Sequence, residues 1–514
     1  MKTTALKRVA GWLGRGSLAA AVLAVGAASS HAQDDALLNA LVKKGVISSA
    51  EANDIRNEVE LERAKEGRGK IELNKGVTKL KIYGKARLRY QWNQLSAQPP
   101  VSPPPFGGAN PNLGNSPNES QWDQSRFRYY FKFGVQYWFQ KNLYGGLEFA
   151  SGDNNDSYNA TFGKGYGRQA VFLSLLYLSY EPTDWLKLTA GKQKNPLETT
   201  SMVWDSDVNP DGLTEEFWFE VSDEFGIGLT LGQWVYSEGD DTEDAGNFGA
   251  GDYLPATDQS PVMQFVFQVP MEYNFMEYKE VPYSSSDPKD MKSMGTVTEA
   301  KPWLTIGFAP GFMTYLGGDS TEVNTSSPGF LQTNGTNDLN VVTAPGYLKW
   351  KMWKQKFKFY WDFAYNITGD DRIQNTYLGD FRNNGAYTPA QWNALRNANF
   401  GLEDNLAWLV GVKVGENKKA GNWSASVDFR QIGLGAVDPN LNDSDFNLGF
   451  LNGQGIRAKV AYSFTDNMVG SITYFNTWNY KNDLYLPVGQ SNSVQQLTGA
   501  NGTQIVQADL VWKF

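Results

Sequence analysis

Two runs of basic residues spaced by two or four positions are the part of this chain whose spacing could do chemistry. Lys79, Lys81, Lys85, Arg87 and Arg89 form the first, and Arg126, Arg128 and Lys132 form the second. Successive side chains of an extended strand point to opposite faces, so each run occupies one face. Like charges held side by side repel unless water or anions screen them. Such a surface draws and guides anions; it does not break bonds. Four acids follow at Glu198, Asp205, Asp207 and Asp211, in a stretch punctuated by Pro196, Asn209, Pro210 and Gly212 that reads as a loop. Acids set against a basic wall would put a transverse field across the water between them, orienting dipolar solutes and slowing apolar ones.

Bond-breaking chemistry has little to work with. The only histidine is His31, and there is no cysteine. Lys2, Lys7, Arg8 and Arg15, the apolar stretch from Leu18 to Ala28, and Ser30-His31-Ala32 read as a signal peptide with Gln33 as the mature start. The apolar stretch is too short for a spanning helix. The mature chain would then hold neither imidazole nor thiol, which excludes Ser-His and Cys-His nucleophiles and His/Cys zinc sites. An aspartate pair has no recognisable motif here, so no enzyme, no cofactor and no metal site are expected. Asp153-Asn154-Asn155-Asp156, Asp240 to Asp244 and Asn440 to Asp445 are rich enough in oxygen ligands for calcium. None has the EF-hand spacing, and all three read as solvated loops.

The elements that must position the charges follow from periodicity. From Lys79 onward the pattern has a period of two. Strands are expected at 79–94, 124–139, 143–151, 169–181, 185–193, 212–221, 224–237, 262–275, 302–316, 344–353, 356–367, 405–415, 422–433, 453–464, 468–479 and 504–514. Most are long enough for a tilted strand to cross a membrane. In the first, Leu80, Ile82, Ala86, Leu88, Tyr90 and Trp92 share the face opposite the cations; in the second, Phe127, Tyr129, Phe131, Phe133 and Val135 do. Mean hydropathy is −0.45 although aromatics make up 14%, a combination that suits a barrel, where only alternate residues meet lipid. Smaller basic sets recur at Lys349, Lys351, Lys356, Lys358, Arg457 and Lys459.

The connections alternate between short and long. Gln140-Lys141-Asn142, Glu181 to Asp184, Ser222-Asp223, Lys354-Gln355, Glu416 to Gly421 and Thr465-Asp466-Asn467 are short; the others are long and rich in Gly, Asn, Asp, Ser and Pro. The stretch 276–301 breaks the rule, being long where the alternation predicts a short turn. In the first long loop, Pro99-Pro100 and Pro103-Pro104-Pro105 read as a stiff spacer. Residues 34–66 carry a helical period instead (Leu37, Leu38, Leu41, Val42), interrupted at Gly45 and restarted by the capping-box spacing Ser48-Ser49-Ala50-Glu51. Removing residues 1–32, which hold four basic residues and no acid, takes the formal charge from −9 to −13. That balance disfavours nucleic acid as a partner.

Several motifs carry a family resemblance. The chain ends on the alternating strand Val506 to Phe514, with Val506, Ala508, Leu510, Trp512 and Phe514 on one face; it resembles bacterial outer-membrane proteins, in which such an ending is an assembly signal. Leu37 to Ile47 resembles the N-terminal segment of some outer-membrane porins. Gly191-Lys192-Gln193-Lys194-Asn195-Pro196 followed by Trp204 to Leu213 resembles the "putative porin" family of Gram-negative outer membranes, related in style to phosphate-selective porins.

The resemblance implies a passive diffusion channel, usually a homotrimer. By the same resemblance it is expected to sit in outer-membrane lipid and to be assembled by the barrel assembly machinery through the strand ending at Phe514. The expected architecture is an all-β transmembrane fold: a closed antiparallel up-and-down barrel of about 16 strands over 71–514, after a signal peptide (1–32) and a periplasmic helical extension (33–70). Sixteen-stranded porins fold their third extracellular loop into the barrel, so Glu198, Asp205, Asp207 and Asp211 are expected at a constriction. Lys81, Lys85, Arg87, Arg89, Arg126, Arg128 and Lys132 are expected to line the pore and lean it toward anions. A barrel with a blocked lumen, serving as an anchor or adhesin, is the alternative.

Overall fold

The computed structural model describes residues 76–96, 121–152, 158–163, 169–237, 262–282, 296–317, 336–373, 402–449, 451–481 and 502–514, short stretches at 323–324, 332–333, 485–488 and 493–496, and positions 42, 48 and 55. The expected signal peptide (1–32) lies outside them, as do nearly all of the expected helical extension (33–70), the proline-rich first loop, Asp153 to Asp156 and Asp240 to Asp244. The chain divides into Met1–Gly76 and Val77–Phe514, and the second unit is the barrel.

Sixteen staves make up the wall. They are β1 (Lys79–Ser96), β2 (Gln121–Gln140), β3 (Leu143–Ser151), β4 (Val171–Thr183), β5 (Leu186–Lys192), β6 (Asp211–Glu220), β7 (Phe225–Ser237), β8 (Val262–Gln268 and Met271–Pro282), β9 (Thr296–Phe308 and Gly311–Leu316), β10 (Asn340–Thr343 and Gly346–Met352), β11 (Gln355–Asn366), β12 (Leu406–Gly415), β13 (Trp423–Ile432), β14 (Gly453–Ser463), β15 (Met468–Asn479) and β16 (Gly502–Lys513). Each pairs antiparallel with its sequence neighbours. β1 pairs on one side with β2, from Lys79 opposite Trp138 to Ser96 opposite Gln121, and on the other with β16, from Lys85 opposite Lys513 to Ser96 opposite Gly502. That second pairing closes the ring and leaves no open edge.

The wall has reversed polarity for a water-soluble protein. On β11, Phe357, Phe359, Trp361, Phe363 and Tyr365 point out while Lys358, Tyr360, Asp362, Ala364 and Asn366 point in. Phe127, Val460 and Ile472 are each about 60% exposed on the outside, whereas Arg89, Gln91, Asp362, Asp428 and Arg430 are buried inside. Apolar side chains out and ionic side chains in is the arrangement that hydrocarbon around an aqueous interior requires. Among the described residues no helix is long and apolar enough to cross a membrane.

Short turns gather at one end of the barrel and long loops at the other. Trp353-Lys354 makes a two-residue hairpin with positive φ at both positions (51° and 63°). At both ends of the anomalous stretch 276–301 the strands run on as a pair, and residues 283–295 between them lie outside the described residues. Past a bulge at Phe275/Met276, β8 and β9 continue paired from Met276 opposite Pro302 to Pro282 opposite Thr296, beyond the reach of their wall neighbours β7 and β10. There the in–out alternation of the wall stops, with Glu277, Tyr278, Lys279 and Glu280 and the facing Glu299 and Lys301 all exposed, because that part of the pair has left the wall.

The interior is not uniformly wet. An apolar cluster of Met202, Val203, Trp204, Trp234, Val266, Leu339, Leu409, Leu441, Phe446 and Ile505, among others, packs inside the ring. It is built from β7–β13, β15, β16 and two long loops, so it fills the side of the lumen away from β1–β3.

Candidate pore constriction

The third long loop, 193–210, folds inward because its polar groups find acceptors and donors on the barrel's inner wall. The Gln193 N–H donates to the Pro210 carbonyl (2.9 Å) and closes the neck. Glu198 and Gln268 on β8 exchange two hydrogen bonds: the Glu198 N–H donates to Gln268 Oε1, and Gln268 Nε2 donates to the Glu198 carbonyl, both at 2.8 Å. Thr200 gives its N–H (3.0 Å) and its hydroxyl (2.8 Å) to the buried Asp362 carboxylate of β11. Met202, Val203 and Trp204 then enter the apolar cluster, with Trp204 edge-on to Trp234 (centroids 5.5 Å apart). The loop reaches from β5 to β11, most of the way across a ring of 16.

The seventh long loop, 433–452, meets it. The Asp205 N–H donates to the Leu441 carbonyl (2.5 Å), and the Asp443 N–H donates to the Ser201 carbonyl (2.9 Å). Each loop presents the same tripeptide at this junction, Asp205-Ser206-Asp207 and Asp443-Ser444-Asp445. Each forms the same Asx turn, with the second aspartate's N–H donating to the first aspartate's carboxylate at 3.1 Å. Ser206 and Ser444 are exposed at the two tips. Buried Arg430 of β13 ties the seventh loop to the wall through Asp443 (2.9 Å) and Asp428 (3.0 Å), and Asp428 also holds Arg457.

Opposite this acidic rim stands the basic wall. The expected juxtaposition of the two cationic rows is present in the β1–β2 register: Lys85 lies opposite Lys132 and Arg89 opposite Arg128, with Arg87 opposite Tyr130. Aromatic faces and carboxylates separate the charges. Tyr130 lies under Lys85 (5.1 Å) and Arg87 (4.4 Å), and Tyr158 under Lys132 (3.3 Å). Glu148 faces Lys132 at 3.6 Å, Arg128 donates to Gln91 (3.3 Å), and Arg87 donates to Asn159. Arg89 is committed to Asp509 of β16 and to Asp445 (3.2 Å).

The loop acids differ in protonation. Burial pushes the Asp205 carboxyl up to about 8, and the Asp443 and Asp207 carboxylates beside it add to the shift. Burial also raises Asp207, against the pull of Lys132 and Arg87. Burial works the same way on Asp445, but Arg89 above all, with Arg128 and Arg87, outweighs it and holds that carboxylate below its ordinary range.

Of the residues expected at this site, the structure brings together Lys85, Arg87, Arg89, Arg128 and Lys132 with Asp205 and Asp207. Arg126 stands at the upper end of the basic row, opposite Gln91, and Lys81 near the short-turn end, opposite Gln136. Glu198 lies on the other flank of the loop, near Lys349 and Lys358. Asp211 is away from the constriction: it opens β6 with its side chain on the outer face, paired with Lys192 at 2.7 Å. The loop scheme placed it with the other acids, but the strand begins one residue earlier than the periodicity indicated.

Sequence reasoning missed Asp443 and Asp445, reading Asn440 to Asp445 as a solvated loop; the structure buries that loop inside the barrel. The available signal was its apolar content, Leu434, Val437, Leu441, Phe446 and Leu451. It also missed Lys413, which stands in register beside Lys358 and Lys349 across β10–β12. Among the described residues no group of three or more His, Cys, Asp or Glu side chains is placed to hold a metal ion.

A family model described as "Putative porin" matches residues 18–247 and 353–486. The chain belongs to this porin family. No curated protein matches the sequence. Among solved structures, the porin barrel is similar to Salmonella typhi OmpF in complex with daunomycin, at 10% identity and a TM-score of 0.40, covering 86% of this chain and 100% of that one. It is also similar to the high-pH structure of Pseudomonas putida OprB, at 9% identity and a TM-score of 0.40, covering 85% and 94%.

Proposed function

We propose that this porin is a passive, water-filled channel of a Gram-negative outer membrane, admitting small hydrophilic solutes and ions with a preference for anions. The observation that carries the reading is the facing of Lys85, Arg87 and Lys132 across from Asp207, and of Arg128 across from Asp445, where two loops narrow the lumen. The basic groups outnumber the acids that meet them, and two of the four rim acids are spoken for: Asp445 by Arg89 and Asp443 by Arg430. Asp205 adds little charge at neutral pH, which leaves the field at the opening net positive. The barrel reaches the membrane through its signal peptide and the assembly machinery that reads the strand ending at Phe514, and it works as a homotrimer.

Purified protein added to a planar bilayer should give stepwise conductance, and across a salt gradient its reversal potential should take the anion-selective sign. Replacing Arg87, Arg126 and Arg128 together by Ser should move that potential toward cations. An unchanged potential in a folded, conducting variant would remove the arginines from the selectivity site. A second reading is a blocked lumen, favoured by the apolar cluster inside the ring. Liposome swelling in small sugars separates the two, since a blocked barrel gives none.

A further inference from the structure

The outer wall carries a polar seam where hydrocarbon would be least tolerant of it. On β5 and β6, Lys192 and Asp211 pair at 2.7 Å on the outer face. Further down β6, Glu215 also points outward, because its neighbour Thr214 points in and accepts from Trp234. Glu215 lies midway along β6, between Leu188 of β5 and Leu231 of β7, and accepts a hydrogen bond from the outward Gln233 of β7 at 3.0 Å. Elsewhere in the wall, among the described strand residues, the outward charge is Asp123, near the long-loop end of β2. Outward amides such as Gln431, Gln454, Asn476 and Gln504 also keep to that end. An ionisable group on the lipid face is costliest at mid-depth.

One stave of the same wall is short. β5 has seven residues, the fewest of any stave. At about 3.3 Å per residue and a tilt near 40°, that covers roughly 18 Å of an apolar band about 25 Å tall. A wall with one short stave and a mid-depth carboxylate fits poorly against lipid. It fits well against protein that brings its own apolar side chains and hydrogen-bond donors.

We infer that the outer face of β5–β7, centred on Glu215 and Gln233, is a subunit contact covered by a second copy of this chain. The face carries both signs of charge, Lys192 against Asp211 and Glu215, together with the amide of Gln233, so another copy can answer it. Acids outnumber bases on it, which makes it a poor seat for lipopolysaccharide phosphates. The inference rests on the membrane-spanning reading above and adds the location of the contact.

Because photocrosslinking reports neighbours of any kind, a benzoylphenylalanine placed at Leu213, outward between Asp211 and Glu215, tests it in native outer membranes. Val427, outward on β13, serves as the control. Irradiation should give a species of twice the chain mass from position 213 and none from position 427. Absence of that species from position 213, an adduct to lipopolysaccharide or to a different protein, or equal doubling from both positions would overturn the inference. Replacing Glu215 and Gln233 together by Leu should abolish the oligomer band on unheated gels, and an undiminished band would count against the seam. Bilayer conductance of the same samples is read separately: its loss would sink the channel reading, while the crosslink would still report the contact.

Discussion

Arg89 and Asp509, 420 residues apart, form a two-pronged ion pair across the seam that closes the barrel, Nε to Oδ1 at 2.7 Å and Nη2 to Oδ2 at 3.0 Å. Arg89 is on the first stave and Asp509 on the last, directly opposite in the register. Both are almost fully buried, and Arg89 spends its remaining nitrogen on Asp445 of the seventh loop. One guanidinium therefore ties the closing strand pair to the loop that narrows the lumen.

Removing one member of a buried ion pair strands the other charge, at a cost of about 3–5 kcal/mol. Arg89→Leu should lower the temperature at which the folded band disappears from gels, and should loosen the seventh loop with it. Arg89→Leu combined with Asp509→Leu should recover most of the loss, since two apolar partners leave only Asp445 without its cation. A single variant as heat-resistant as the parent would show that the seam closes on backbone pairing alone.

The wall was legible in the sequence and the interior much less so. Strict alternation, as in Phe357 to Tyr365, can only be satisfied by two faces with different solvents. The alternation of short and long connections fixes the up-and-down order. Legibility failed where residues act through tertiary partners. Asp443 looks like any loop aspartate until Arg430, buried thirteen residues earlier, is seen to hold it. Asp211 and Asp207 are four residues apart in one acidic stretch, yet a strand begins between them and sends Asp211 to the outer face. The long stretch 276–301 had no place in the connection rule because a strand pair can outrun the wall that contains it.

Asp362 is the anchor of the third loop. Its carboxylate is buried and takes both the N–H and the hydroxyl of Thr200. Asp362→Ala leaves those two donors without an acceptor, which costs roughly 1–3 kcal/mol where water cannot reach. The cost falls on the loop, because β11 keeps its backbone ladder. Single-channel conductance and open-channel noise should both rise while the heat resistance of the barrel changes little. Gln268→Ala, which removes the neighbouring tie at Glu198, should act in the same direction; a quiet, unaltered channel in both variants would show that the loop is held by the seventh loop instead.

Gly84 is required by Phe514. The terminal phenylalanine exchanges backbone hydrogen bonds with Gly84 (2.9 and 3.1 Å), and its ring lies flat over that glycine beside Phe131. A Cβ at position 84 would sit 2.3 Å from the ring. Gly84→Val therefore forces the ring off the wall, with an overpacking cost of about 1–3 kcal/mol. Folded protein in the membrane should fall, and the lower yield should be reversed in part by Phe514→Leu, whose smaller side chain leaves room. If Gly84→Val assembles as well as the parent, the terminal ring has another place to go.

The junction between the two loops should respond to alkali. The Asp205 carboxyl is raised to about 8 by burial and by Asp443 and Asp207, whereas a freely solvated aspartate titrates near 4. Between those values the closed junction holds a proton that an opened loop would release, so the stabilisation is complete at low pH and is withdrawn as pH rises toward 8. Above that, each barrel gains a negative charge at the junction of the two inward loops, next to carboxylates that repel it. Raising the pH from 7 to 9 should move the reversal potential toward cations and increase open-channel noise as the Asp205–Leu441 contact loosens. Asp205→Asn keeps the shape of the side chain without the charge, and should flatten the response over this range. A response that survives in Asp205→Asn would assign the titration to another group.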